Sequence, residues 1–190
     1  MYWPSDSFAR MSPGRFMATI DAPVVAADAG PLIHLDELDA LNVLADYPKI
    51  WVPEEVWGEI VRHRPGVLQH RGIPLVRHES TVEFAEVNAL ATLYTLHRGE
   101  RAALTLCLER SLSTLLSDDT AARLAAASLN LVTHGTIGLL IRAARRGLRT
   151  SAEVLTLLDA LPHRSTLHIR PSLLQDLIRQ LRIEWSVPDA

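Results

Sequence analysis

The sequence predicts an α/β fold of three layers, an α/β/α sandwich around a central parallel sheet, and three observations point there. Short apolar runs recur at residues 24–27, 50–52 and 113–117. Each is followed by an amphipathic stretch of helical length, and strands alternating with helices build βαβ units around a parallel sheet. Two of the runs end in acid, at Asp28 and at Asp118-Asp119, on the carboxyl edge where open parallel sheets bind ligands.

Taken in order, residues 1–22 mix Pro, Ser, Met and Arg without periodicity and read as a loose leader, in which Met17 is an alternative start. The run at 24–27 is closed by Gly30-Pro31, as a buried strand stopping at a turn would be. From Pro31 a helix is expected, with Leu32, Leu35, Leu38, Leu41 and Leu44 at helical spacing. Ile50-Trp51-Val52 predicts a second strand, and Pro53 opens a helix that Arg64-Pro65-Gly66 breaks. Leu75-Val76 suits an edge strand, and Ser80 or Thr81 a cap for a helix reaching Tyr94. Gly99 opens a helix that stacks Glu100, Leu104 and Cys107 on one face. After the third apolar run come an alanine-rich helix over 121–129, a return strand at Leu131-Val132 and a helix from Thr136 to Arg146 ended by Gly147. Two amphipathic helices then reach Ile183; their many leucines suggest packing on the sheet plus a surface for a second copy or another protein.

Composition narrows the function classes. With 190 residues, 48% of them hydrophobic, the chain can bury a core as one domain. A net charge of −3 excludes a general polyanion binder. Cys107 is the single cysteine, so there is neither an internal disulfide nor a cysteine zinc site. No apolar run approaches the ~20 residues of a membrane span, and the start lacks a signal-peptide pattern. A soluble protein of the reducing cytoplasm, with no membrane partner, is expected. Eighteen arginines stand against one lysine, Lys49, which leaves lysine-based mechanisms almost without a candidate.

Helices starting at the acidic sheet edge bring further carboxylates there, Glu100 beside Gly99 and Glu59 after the second strand. Carboxylates crowded in one cleft repel one another, and a divalent cation relieves this. An oxygen-only ligand set favours Mg²⁺ or Mn²⁺ over zinc. Each acid also has an ordinary reading, as a helix cap, a turn residue or a solvated helix side chain.

The ordered blocks ADAGPLIHL, VPEEVWGEI, RGERAALTL, STLLSDDTAAR and HGTIGLLIRAARRGL span residues 24–148, about two thirds of the chain. Together they resemble the PIN domain, the nuclease fold that includes the VapC-type toxins of type II toxin–antitoxin pairs. The last two blocks resemble a subgroup with a Gly-Thr-x-Gly-Leu-Leu helix. The resemblance implies a PIN-like nuclease core over residues 23–150, with the helices of 151–190 packing on it or on a partner. It places the catalytic acids at Asp28, Glu59, Glu100, Asp118 and Asp119, with Asp28, Glu100 and the Asp118-Asp119 pair as metal ligands and the metal-facing member of the pair open. It also implies RNA as substrate, Mg²⁺ or Mn²⁺ as cofactor, a cognate antitoxin and a homodimer. Thr136 reaches the same edge, where it either holds a water or phosphate or caps its helix. Arg142, Arg145, Arg146 and Arg149 form one stripe, read as phosphate contacts or as a solvated face near a helix C-terminus. Arg123 lies one turn after Asp119 and is placed to bridge to it. Trp51, Trp57 and the histidines read as packing residues.

Two rival chemistries fail on single residues. A haloacid-dehalogenase phosphatase wants a second Asp where Gly30 stands, and a receiver domain wants a lysine late in the sheet. A PIN-like binding module that does not cut, and a stand-alone RNA-processing nuclease, share the acids and remain open.

Overall fold

Five short strands carry the molecule, in a computed structural model that describes residues 22–186. They are β1 (Val25–Ala27), β2 (Ile50–Pro53), β3 (Leu75–His78), β4 (Thr114–Leu116) and β5 (Val132–His134). All neighbours are parallel and the order is β3-β2-β1-β4-β5. The connecting helices are α1 (Ala29–Glu37), α2 (Glu54–His63), α3 (Gly66–Gln69), α4 (Ala85–Tyr94), α5 (Arg98–Glu109), α6 (Thr120–Ser128) and α7 (Thr136–Arg145). Two more, α8 (Ser151–Arg164) and α9 (Pro171–Trp185), follow. The expected three-layer α/β/α fold is the one observed. The expected leader, Met17 included, lies outside the described residues apart from Ala22, which is buried.

Successive strand residues point to opposite faces, so two separate cores form. Val25 and Ala27 of β1 and Leu116 of β4 join one, with α1, α7, α8 and α9. Ala26 and Leu115 join the other, with Val87, Leu104, Leu106, Cys107, Ala125 and Ala126 from α4, α5 and α6. The strands read as unbroken apolar runs because both faces are covered.

Two local expectations are corrected. The helix expected through Leu44 stops at Glu37: Asp39 takes a left-handed φ of 54°, and the Ala40 amide donates back to the Leu35 carbonyl at 2.8 Å. That is a Schellman stop, and Leu41–Leu44 continue as a short 3-10 turn. Ser80 makes a local turn, its Oγ accepting from the Val82 amide, and also bonds Glu109 of α5, while α4 begins at Ala85. The leucines of α8 and α9 are largely used within the chain, with Leu155, Leu158, Leu161, Leu174 and Leu181 buried in the first core. Among the described residues no helix is long and apolar enough to cross a membrane.

Candidate active site at the carboxyl edge of the sheet

The chain runs outward from β1 to β3, then returns to lay β4 on the other side of β1. Helices after β1 and β4 therefore leave on opposite faces, which opens a crevice between the two strand ends. Asp28 and Asp118 stand at these ends. With Glu59, Glu100 and Asp119 they line one cleft of about 400 Å³, shared with Gly30, His34, His97 and Gly99.

Backbone starts hold most of these acids. Asp28 caps α1, its Oδ1 accepting from the Ala29 amide at 2.9 Å, while its Oδ2 accepts from the Ser117 hydroxyl at 3.2 Å. Glu100 completes the capping box of α5, accepting from the His97 amide at 2.7 Å. Asp119 caps α6 through the Ala122 amide at 2.7 Å. Asp118 is gripped hardest: its Oδ1 takes the Thr136 amide at 2.7 Å, and its Oδ2 the Thr136 hydroxyl at 2.6 Å and His34 Nδ1 at 2.8 Å. A carboxylate only accepts, so His34 donates from Nδ1. Glu59 projects from α2 and lies with Asp28 beside Gly99, where an added Cβ would be in ordinary contact with both, 3.5 Å from Glu59 Oε2 and 3.6 Å from Asp28 Oδ1. The capping reading and the site reading thus hold together, because a cap occupies one carboxylate oxygen and leaves the other.

Burial pushes Asp28, 8% exposed, up to about 6, against the bonds from Ala29 and Ser117 and with help from the negative charges of Glu100 and Glu59. Glu100 is raised too, first by burial and then by Asp119 and Glu59. A cleft that holds protons this tightly is short of positive charge.

The donor set fits a hard divalent cation in its chemistry, being all carboxylate oxygen. Among the described residues, no three His, Cys, Asp or Glu side chains are gathered closely enough to grip a metal ion by themselves. Mg²⁺ commonly makes do with one or two carboxylates plus waters and substrate phosphate, so the cleft suits an ion shared with its substrate better than a preformed cage.

Thr136 and the arginines take other places than the sequence suggested. Gly135 occupies the cap position of α7, while Thr136 is its first residue, fully buried and spent on Asp118 rather than open to a phosphate. The α7 helix runs away from the cleft at ~1.5 Å per residue, which carries its last-turn arginines to the far end. There Arg142 forks onto Asp46 at 2.9 and 2.7 Å, joined by Arg146, while Arg145 meets Glu184 and Arg149 meets Glu153 and Asn42. Asp46 and Glu184 come from distant segments that local spacing does not reveal, whereas Glu153 is one helical turn from Arg149. No ion pair joins Arg123 to Asp119 among the described residues.

Sequence reasoning passed over Ser117 and Gly135, and it read His34, with the other histidines, as packing. The available signals were a hydroxyl just before the acid pair and a His one turn after Gly30. Gly135 matters through what it lacks, since a Cβ there would lie 2.5 Å from Asp118 Oδ1. Gly135→Ala is expected to displace Asp118 from Thr136 and cost about 1–3 kcal/mol, read as a lower melting temperature. An unchanged melt would show that Asp118 is held less firmly than these bonds indicate.

No curated protein and no solved structure matches the chain. A family model described as "DUF3368: PIN domain" matches residues 24–182, so the match extends over both C-terminal helices as well as the sheet. A PIN domain is a nuclease-type fold, and it generally works with divalent metal ions. The chain belongs to the PIN domain family.

Proposed function

We propose that the chain is a metal-dependent endoribonuclease of the VapC kind, the cytoplasmic toxin of a type II toxin–antitoxin pair. The observation that carries the nuclease reading is five carboxylates around one cleft at the strand crossover, with Asp28 held there against its burial. Asp28, Glu100 and the Asp118-Asp119 pair would hold Mg²⁺ or Mn²⁺, and of the pair Asp119 keeps the less occupied carboxylate. When bound, such an ion lowers the pKa of water and neutralises charge building on a phosphodiester. The protein's own part is placement. His34 and Thr136 fix Asp118, Ser117 fixes Asp28, and the capping bonds fix Glu100 and Asp119. Glu59, whose carboxylate carries no cap, is the acid best placed to take a proton from an attacking water. A cognate antitoxin and a second copy are the protein partners this reading brings.

Wild-type protein is expected to cut mixed single-stranded and structured RNAs with Mn²⁺ or Mg²⁺ and to stop in EDTA. Cutting that survives EDTA would remove the metal from the reading. A well-folded protein that binds RNA and cuts none would instead be a PIN-like binding module.

A further inference from the structure

A second cavity, about 670 Å³, opens beside the acid cleft and shares Asp118, Leu167 and His168 with it. Its floor is apolar, from Ile137 on α7, Ile169 in the connection between α8 and α9, and Leu173 and Leu177 on α9. Its rim carries Arg123 on α6 and Arg170 at the start of α9, and the only carboxylate on its wall is Asp118, at the shared end. Among the described residues neither arginine has a carboxylate partner, unlike Arg142, Arg145, Arg146 and Arg149. The volume falls in the ~300–1,000 Å³ range of small-ligand sites.

We infer that this cavity is a nucleotide subsite, which seats the unstacked base next to the scissile bond of a single-stranded RNA and holds its flanking phosphates on Arg123 and Arg170. This rests on the nuclease reading of the adjoining cleft. Charge complementarity selects the occupant: a rim of unmatched guanidinium groups beside a carboxylate cleft draws a polyanion to the rim and leaves its diester at the acids. The apolar floor takes a base by its face, and His168, standing between the two cavities, offers an imidazole for stacking. Thr120, Thr133 and His134 also line the cavity and offer hydrogen bonds to a base edge, and single strands are favoured over duplex, whose bases are not free to enter.

The test is binding of a fluorescein-labelled single-stranded hexaribonucleotide in EDTA, followed by anisotropy over a range of salt. Arg123→Ala combined with Arg170→Ala is expected to weaken binding on the order of tenfold to a hundredfold and to flatten the log–log salt slope by about 1.4, or ~0.7 per phosphate contact. Gly138→Trp fills the cavity from α7, where a Cβ meets nothing within 4 Å. It is expected to weaken binding similarly with the salt slope kept. Wild-type affinity in both variants, or no binding by wild-type protein, overturns the subsite while leaving the metal-dependence experiment to judge the nuclease. If both variants lose RNA but wild-type protein cuts nothing with Mn²⁺, the cavity still seats RNA, but the nuclease reading fails and with it the place beside a scissile bond. If Gly138→Trp keeps RNA and loses a co-purifying antitoxin, the cavity belongs to a protein and the proposal falls.

Discussion

Asp28→Asn is expected to abolish cleavage and, at the same time, to make the metal-free protein more stable at neutral pH. Asparagine caps a helix as well as aspartate does and can still meet Ser117, so the local bonds survive. What disappears is a buried negative charge beside Glu100 and Glu59. The folded pKa of Asp28, about 6, exceeds its ordinary value of 3.8, so the folded state binds the proton more tightly than the unfolded chain. Its stabilising contribution is complete below pH ~4 and is lost as pH rises through about 6, to a total of about 2–3 kcal/mol at neutral pH. Metal-free wild-type protein should therefore melt higher at pH 5 than at pH 7.5, with Asp28→Asn removing much of that difference. At a few degrees per kcal/mol for a chain of this size, calorimetry in EDTA resolves the effect. Added Mn²⁺ should stabilise the wild type more than the variant. A variant that melts lower at pH 7.5, or cuts RNA at the wild-type rate, would remove Asp28 from the centre of the site.

Thr136→Val should produce the second large effect, from a residue with no expected contact to substrate. Valine matches threonine in shape but takes away the hydroxyl that donates to Asp118 at 2.6 Å. Hydrogen bonds to charged groups contribute about 1.5–3 kcal/mol, and the loss leaves Asp118 with the Thr136 amide and His34 alone. Stability should fall by about 1–3 kcal/mol. Cleavage should fall about tenfold to a hundredfold, the usual effect of removing a group that orients a ligand. Thr136→Ser keeps the hydroxyl and should restore most of the activity and the Mn²⁺ midpoint, which a purely packing role would not explain. Equal cleavage by Thr136→Val and wild type would mean that Asp118 needs no positioning.

The strands and their order of acids are legible in the sequence because both carry local signals. A strand covered on two faces is a short apolar run, and an acid that caps the next helix directly follows it. Val25–Ala27 with Asp28 shows this most plainly, and after Thr114–Leu116 the capping acid, Asp119, follows within three residues. Pairing over long separations leaves no such mark. The arginines of α7 have the spacing of a phosphate-binding stripe, yet Asp46, 96 residues before Arg142, claims the first of them. Thr136 looks like a cap because it opens a helix, but its partner is a carboxylate 18 residues earlier. The break after Glu37 was hidden for another reason. The leucine spacing continues unbroken through Leu44, and only the left-handed backbone at Asp39 turns the chain.

The crossover that sets β4 against β1 also imposes an order in time. Asp28 is among the first core residues to leave the ribosome, whereas Ser117, its hydroxyl partner, comes 89 residues later and Thr136 later still. At about 5–20 residues per second, the acids stay unassembled for roughly 5–20 s, and a chain released early cannot gather them. On the proposed nuclease reading, a growing chain cuts nothing until synthesis has passed Thr136.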